Sequence, residues 1–149
     1  GRVSVQGTPP EGEARLKEEE ARALGADHFL AATDPAALEG AFQAFDLVLC
    51  TAHHGVDWER LVLTLQKRGR LVLVGFPRLT LDTGALVTRE VSITGSYLGS
   101  PAEMREMLAF AAEHGIDPQV EVLPMADVNE AILRVRQNRA RYRAVLVNR

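Results

Sequence analysis

Two apolar runs constrain this chain more than any other feature. Phe45 to Thr51 and Leu71 to Gly75 each read as a strand without the polar–apolar alternation of a half-solvated sheet. Such runs suit parallel strands covered on both faces. Between them, Trp58, Leu61, Val62 and Leu65 recur at helical spacing and predict a buried stripe on a helix from about Val56 to Lys67, ended by Gly69. Parallel strands need a crossover of this kind, and a helix is the usual one.

The rest of the chain extends the pattern. Arg2 to Gln6 alternates and reads as a strand, followed by the turn Gly7-Thr8-Pro9-Pro10. A polar helix is expected over residues 11 to 24, capped by Gly25, then a short strand His28 to Ala31. Thr33 or Asp34 caps a helix from Pro35 to Phe42. A loop containing Pro77 and Gly84 precedes a strand at Val91 to Tyr97. Ser100, Pro101 and Glu103 form a capping box with proline at the first helical position. Met104, Met107, Leu108 and Ala111 are the stripe of the helix that follows, and Gly115 ends it. Val120 to Leu123, a helix marked by Val128, Ala131, Ile132 and Val135, and a strand at Arg143 to Val147 complete the order. Strands alternating with helices predict an α/β fold, a doubly wound and mostly parallel sheet, with a C-terminal α/β tail.

Composition removes several function classes. Net charge is -3, from 17 basic and 20 acidic residues, and no basic patch points to nucleic acid or an anionic membrane surface. The apolar runs are far shorter than the ~20 residues of a membrane span, and no signal peptide is visible. Cys50 is the only cysteine, which rules out an intrachain disulfide and a zinc site of several thiolates. A cytoplasmic protein is the default expectation. Dense helix charges such as Glu18, Glu19, Glu20 and Arg22 point toward a thermophilic source, a bias that a GC-rich genome also produces.

Five segments in order carry a resemblance to a known family. They are Glu18-Glu19-Glu20-Ala21-Arg22-Ala23-Leu24-Gly25-Ala26-Asp27, Phe45-Asp46-Leu47-Val48-Leu49, Gly69-Arg70-Leu71-Val72-Leu73-Val74-Gly75, Ile93-Thr94-Gly95-Ser96-Tyr97-Leu98-Gly99-Ser100, and Val128-Asn129-Glu130-Ala131 running on to Ala140-Arg141-Tyr142-Arg143-Ala144-Val145-Leu146. With these the chain resembles the C-terminal half of zinc-type alcohol dehydrogenases of the medium-chain dehydrogenase/reductase superfamily, nearest the cinnamyl-alcohol-dehydrogenase and aldehyde-reductase branch. The resemblance implies that residues 1–100 are part of a Rossmann dinucleotide-binding domain. Residues 101–149 are the segment that returns to the catalytic domain. It also implies that the zinc ligands, the proton relay and the Gly-rich loop precede Gly1, so no catalytic and no metal-binding residue is assigned here.

The first strand has two readings. By distance from Glu18 it matches the family's second Rossmann strand, which leaves the central strand missing and two rows of backbone groups without partners. Alternatively Arg2 to Gln6 fills the central slot, and Gly7-Thr8-Pro9-Pro10-Glu11-Gly12 stands where the phosphate loop belongs. That loop would serve poorly, because its prolines lack N–H donors and Glu11 repels a pyrophosphate.

Ligands of an open α/β sheet lie at the C-terminal ends of its strands. The resemblance therefore places Thr51, Ala52 and His53, with Gly75 and Phe76, around the nicotinamide and its ribose, where the bland alternative is turn chemistry. Ser96 to Ser100, with Ser96, Tyr97 and Leu98 as the site residues, would line the nicotinamide end and offer backbone hydrogen bonds to the carboxamide; the alternative, compatible with it, is an edge strand leading to a cap at Ser100. No acidic residue follows Gln6 to hold ribose hydroxyls. Arg15 and Lys17 lie near and could meet a 2′-phosphate, which favours NADP(H); a solvated basic pair is the alternative. His53 and His54 are adjacent and point apart in an extended loop, poor geometry for a metal. Cys50 reads as an inert core residue. In the family, the strand from Val91 to Tyr97 pairs with its twin, so the resemblance implies a homodimer through residues 92–97.

The expected function is the nucleotide-binding portion of an NADP(H)-dependent zinc-type alcohol dehydrogenase or aldehyde reductase, without turnover alone and with zinc bound elsewhere than on this chain. A degenerate Rossmann-like domain that self-associates without cofactor is the alternative. A third option, another nucleotide-using α/β enzyme such as a methyltransferase, fits the five segments less well.

Overall fold

The computed structural model describes residues 4–7, 14–31, 34–53, 55–137, 139–140 and 142–148, with the backbone alone for residues 4–7, 14–16 and 35. The turn after the first strand, the candidate phosphate loop beyond Gly7, and His54 lie outside the described residues. The chain divides into two compact units, Gly1–Tyr97 and Leu98–Arg149.

In the first unit, strand β1 (Ser4–Gly7) leads through helix α1 (Ala14–Ala23) to strand β2 (His28–Ala31), and the two strands pair in parallel from Ser4 opposite His28 to Gly7 opposite Ala31. Gly25 ends α1 as the sequence predicts. With φ at 97° it lets its own N–H reach Arg22 O at 3.0 Å and the Ala26 N–H reach Ala21 O at 3.0 Å. This pair of bonds satisfies the last carbonyls of the helix. Helix α2 (Pro35–Gly40) starts at Asp34, whose carboxylate accepts the Ala36 N–H at 2.9 Å, so Asp34 rather than Thr33 is the cap.

Three further parallel strands form a second sheet in the order β3 (Phe45–Cys50), β4 (Leu65–Leu73), β5 (Ser92–Gly95). Helix α3 (Trp58–Thr64) crosses from β3 to β4, capped by the Asp57 carboxylate. Helix α4 (Gly84–Arg89) crosses from β4 to β5. Val62, Leu65 and Leu71 are fully buried and form the core with Cys50, Trp58, Leu61 and Val91. Cys50 is a core residue, as expected.

Two boundaries differ from expectation. The helix predicted to Lys67 stops at Thr64, and strand begins at Leu65. The pairing then slips, because Phe45 faces Leu65 while Leu47 faces Arg70. Residues 66–69 form a bulge in which Arg68 turns to φ 65°. Gly69 therefore serves the strand and does not end the helix. A Cβ there would stand 2.9 Å from Gln66 O and 3.1 Å from the Leu65 side chain. Where a loop was expected, α4 forms, begun by the Asp82 carboxylate accepting the Gly84 N–H at 2.6 Å.

The first strand takes the outer of its two predicted places. Among the described residues β1 pairs with β2 alone and β3 with β4 alone, so β1 does not bond to β3 as a central strand must. Leu47 and Leu49 of β3 are 53% and 60% exposed, open apolar residues on a strand patterned for burial.

In the second unit, helix α5 (Pro101–Glu113) starts on the predicted capping box. The Ser100 N–H donates to Glu103 Oε2 at 2.6 Å and the Glu103 N–H to Ser100 Oγ at 3.3 Å. Gly115 at φ 62° ends it, with the Ile116 N–H on Ala111 O at 2.9 Å. The apolar stripe of α5 is not a core: Met104, Met107 and Leu108 are exposed, and no residue of the helix is buried. Strand β6 (Val120–Pro124), a 3-10 turn (Met125–Asp127), helix α6 (Val128–Arg136) and strand β7 (Arg143–Val147) make a parallel βαβ unit. Arg134 Nη2 and Glu121 Oε2 meet at 2.7 Å between α6 and β6.

Candidate functional site

Because β3, β4 and β5 are parallel, their C-terminal ends share one edge of the sheet. Thr51, Ala52 and His53 leave β3 there, Gly75 and Phe76 follow β4, and Ser96 and Tyr97 follow β5. The structure thus brings seven of the ten predicted residues to one edge.

The edge is held by backbone geometry. The Val74 and Gly75 N–H groups donate to Cys50 O at 2.9 and 3.4 Å, and the Ser96 N–H donates to Leu73 O at 2.9 Å. Gly75 runs against the preceding loop. A Cβ there would stand 2.6 Å from Ala52 O and 3.0 Å from Thr51 O. Real Cβ atoms do not approach backbone oxygen so closely, so this position requires glycine. One residue on, the Phe76 N–H donates to His53 Nδ1 at 3.4 Å. The Phe76 ring meets Tyr97 edge to face, with centroids 6.2 Å apart and planes at 68°. Both rings are open to solvent, Phe76 at 78% and Tyr97 at 77%. Below, the Trp58 indole N–H donates to Arg78 O at 3.0 Å and fastens the segment after Phe76 to α3.

The Ser96 N–H donates to Leu73 O and the Ser100 N–H to Glu103 Oε2, so the edge-strand and cap readings of these two groups are both realised. Strand continuation and helix capping engage both donors. The other three residues are Arg15, Lys17 and Leu98. Arg15 and Lys17 are on α1; the side chain of Arg15 lies outside the described atoms, and Lys17 Nζ is 3.8 Å from Glu20 Oε2. Leu98 begins the second unit.

The reading of His53 as a loop residue with no metal partner missed its link to Phe76, a contact 23 positions apart that depends on the β3–β4 register. Among the described residues no group of three or more His, Cys, Asp or Glu is placed to hold a metal ion. No helix there is long and apolar enough to cross a membrane. Two carboxylates have shifted ionisations. Hydrogen bonds from Arg68 and Lys67 hold the Glu90 carboxyl below the ordinary range, and those of Ser100 do the same for Glu103.

Comparison with known proteins agrees with this architecture. The family model for zinc-binding dehydrogenases matches residues 5–113. A probable formaldehyde dehydrogenase, AdhA, of Bacillus subtilis is 40% identical over 132 residues, covering 87% of this chain and 38% of its own length. The aldehyde reductase AdhA of Synechocystis is 36% identical over 132 residues, covering 87% of this chain and 39% of its own. The solved cinnamyl alcohol dehydrogenase of Sorghum bicolor superposes with a TM-score of 0.87 at 35% identity, covering 97% of this chain and 40% of that one. The chain therefore spans about two fifths of the length of these relatives. Its α/β fold is the Rossmann-like fold of these enzymes, and the chain belongs to the zinc-binding dehydrogenase family.

Proposed function

We propose that this chain is the nucleotide-binding portion of an NADP(H)-dependent alcohol dehydrogenase or aldehyde reductase. The observation that carries the reading is the shared C-terminal edge of β3, β4 and β5, where Thr51 to His53, Gly75 to Phe76 and Ser96 to Tyr97 gather. A crevice outside the carboxyl ends of parallel strands is where such sheets bind ligands. The relatives named aldehyde reductase and NADP-dependent alcohol dehydrogenase C 1, the latter from Mycolicibacterium smegmatis and 34% identical, support the reaction class and the cofactor.

A nicotinamide dinucleotide supplies or accepts the hydride when bound. The chain's own part is to position it. The close approach at Gly75 brings two loops together as one wall, Phe76 and Tyr97 offer an apolar face, and the backbone at Tyr97 provides polar contacts for the carboxamide. Arg15 and Lys17 would bear on a 2′-phosphate, with Lys17 exchanging its pairing to Glu20 for the phosphate. The residues described here do not fit a zinc site, and no step is assigned to zinc. Residues 1–100 serve the dinucleotide, and residues 101–149 return to a catalytic domain.

Calorimetric titration of the chain with NADP(H) and NAD(H) tests the reading. Saturable binding with NADP(H) preferred supports it. No heat at millimolar concentrations of either cofactor contradicts it. Failure to bind would instead favour a self-associating domain without cofactor, a reading supported by the second edge of β3, which is unpaired among the described residues, and by its exposed Leu47 and Leu49. Either way, β5 is an edge strand, bonded only to β4 among the described residues. We expect it to pair with a second copy through residues 92–97. A monomeric mass by light scattering at high concentration would count against that pairing.

A further inference from the structure

Beyond Leu73, successive N–H groups of the chain find acceptors on the neighbouring strand and its loop. Val74 and Gly75 share Cys50 O, and Phe76 donates to His53 Nδ1. A backbone N–H can only donate, so Nδ1 must keep its lone pair. The bond fits the tautomer that carries its proton on Nε2. The wedge at Gly75 makes the contact possible, because it presses this loop onto Ala52 immediately before His53. The same bond fixes the backbone from which the Phe76 ring reaches Tyr97. Three strand ends are thereby linked in a row, His53 to Phe76 to Tyr97, and the row ends in two aromatic rings left open to solvent. Aromatic side chains with that much free face and edge suit a planar heteroaromatic ring.

We infer that His53 is a positioning residue. Accepting through Nδ1, it holds the Phe76 backbone so that the Phe76–Tyr97 pair is presented to the nicotinamide ring of the dinucleotide. The inference rests on the nicotinamide reading given above. It assigns His53 no proton transfer and no contact with the reacting atoms. Its effect should fall on the nicotinamide half of the ligand, the part that this proposal sets against the row.

The test uses the complete gene product that contains this chain, with His53→Asn and His53→Phe. Asparagine carries an acceptor oxygen where histidine carries Nδ1. Phenylalanine keeps the ring and loses the acceptor. Dissociation constants are measured for NADPH and for the adenosine bisphosphate half of NADP, which lacks nicotinamide. We expect His53→Phe to weaken NADPH about threefold to tenfold, the worth of one net hydrogen bond. The adenosine bisphosphate should bind as in the parent, and His53→Asn should restore NADPH binding to within about twofold of the parent. Unchanged NADPH affinity in His53→Phe overturns the inference and leaves the nicotinamide reading standing. Equal weakening of both ligands also overturns it, because that is the signature of general damage. A parent that binds neither ligand removes the nicotinamide reading and the inference with it. Nitrogen NMR of the parent provides a readout that needs no variant: Nδ1 without a proton is expected, and a proton on Nδ1 contradicts the bond.

Discussion

Single residues hold the first unit at two kinds of position, one steric and one electrostatic. Gly75 is the steric one. Gly75→Ala puts a methyl group 2.6 Å from Ala52 O, a backbone atom that cannot turn aside. The two loops must part, and we expect a loss of about 1–3 kcal/mol of stability, read as a lower midpoint in urea. A midpoint equal to the parent's would show that the approach is looser than described. Glu90 is the electrostatic one. It ends α4 at φ 56° and pairs with Lys67 at 3.0 Å and Arg68 at 2.9 Å. Arg68 first, then Lys67, lowers its ionisation below the reference value of 4.5. A carboxyl lowered by folding stabilises the native state above that reference and loses the contribution as pH falls through the folded value. We therefore expect Glu90→Gln to lose stability at neutral pH and to show a flatter acid limb of Tm against pH. An acid limb as steep as the parent's would contradict the role. Glu103, lowered by its bonds with Ser100, follows the same sign. The two carboxylates differ in legibility. The partners of Glu103 stand within three residues, so the motif is readable in the sequence. Those of Glu90 are brought to it by a bulge, which no local pattern announces.

Elements follow the same rule of local against distant causes. Of the three glycines expected to end helices, Gly25 and Gly115 do so, because the left-handed turn they supply is a local property, while Gly69 lies within β4. The end of α3 was not legible because a residue 26 positions later sets it. Arg89 of α4 donates to Leu63 O and Leu65 O and stands 5.3 Å over the Phe42 ring. It thus satisfies carbonyls left where α3 gives way to β4. Arg89→Ala leaves both carbonyls without this donor, and we expect about 1–3 kcal/mol of destabilisation by chemical denaturation. A change within error of zero would mean that water replaces the guanidinium at no cost. At the other unit, Ser100→Ala removes a cap whose two reciprocal bonds are in place. The expected cost is about 1 kcal/mol, seen as reduced helicity of α5 and a lower Tm. The stripe on α5 shows the limit of pattern reading. Met104, Met107 and Leu108 have the spacing of a buried face, yet spacing says only that a face is apolar, not that this chain covers it.

At the scale of the whole molecule, the strand order and the exposed apolar residues tell one story. Among the described residues β1 and β3 are each bonded on one side, and Leu47, Leu49 and the α5 stripe stay open. These open edges and faces go with a chain that spans about two fifths of the length of its relatives. The α/β class and the cluster at the strand ends were legible, because parallel strands carry their own signature and place their C-terminal ends together. The pairing of His53 with Phe76 was not, since it depends on register across two strands. The most direct measurement is a crystal structure of the complete gene product with NADP(H) bound. The account predicts the nicotinamide ring against Phe76 and Tyr97 at the C-terminal edge of β3–β5, with its ribose beside Thr51 to His53. A dinucleotide seated away from that edge would contradict it.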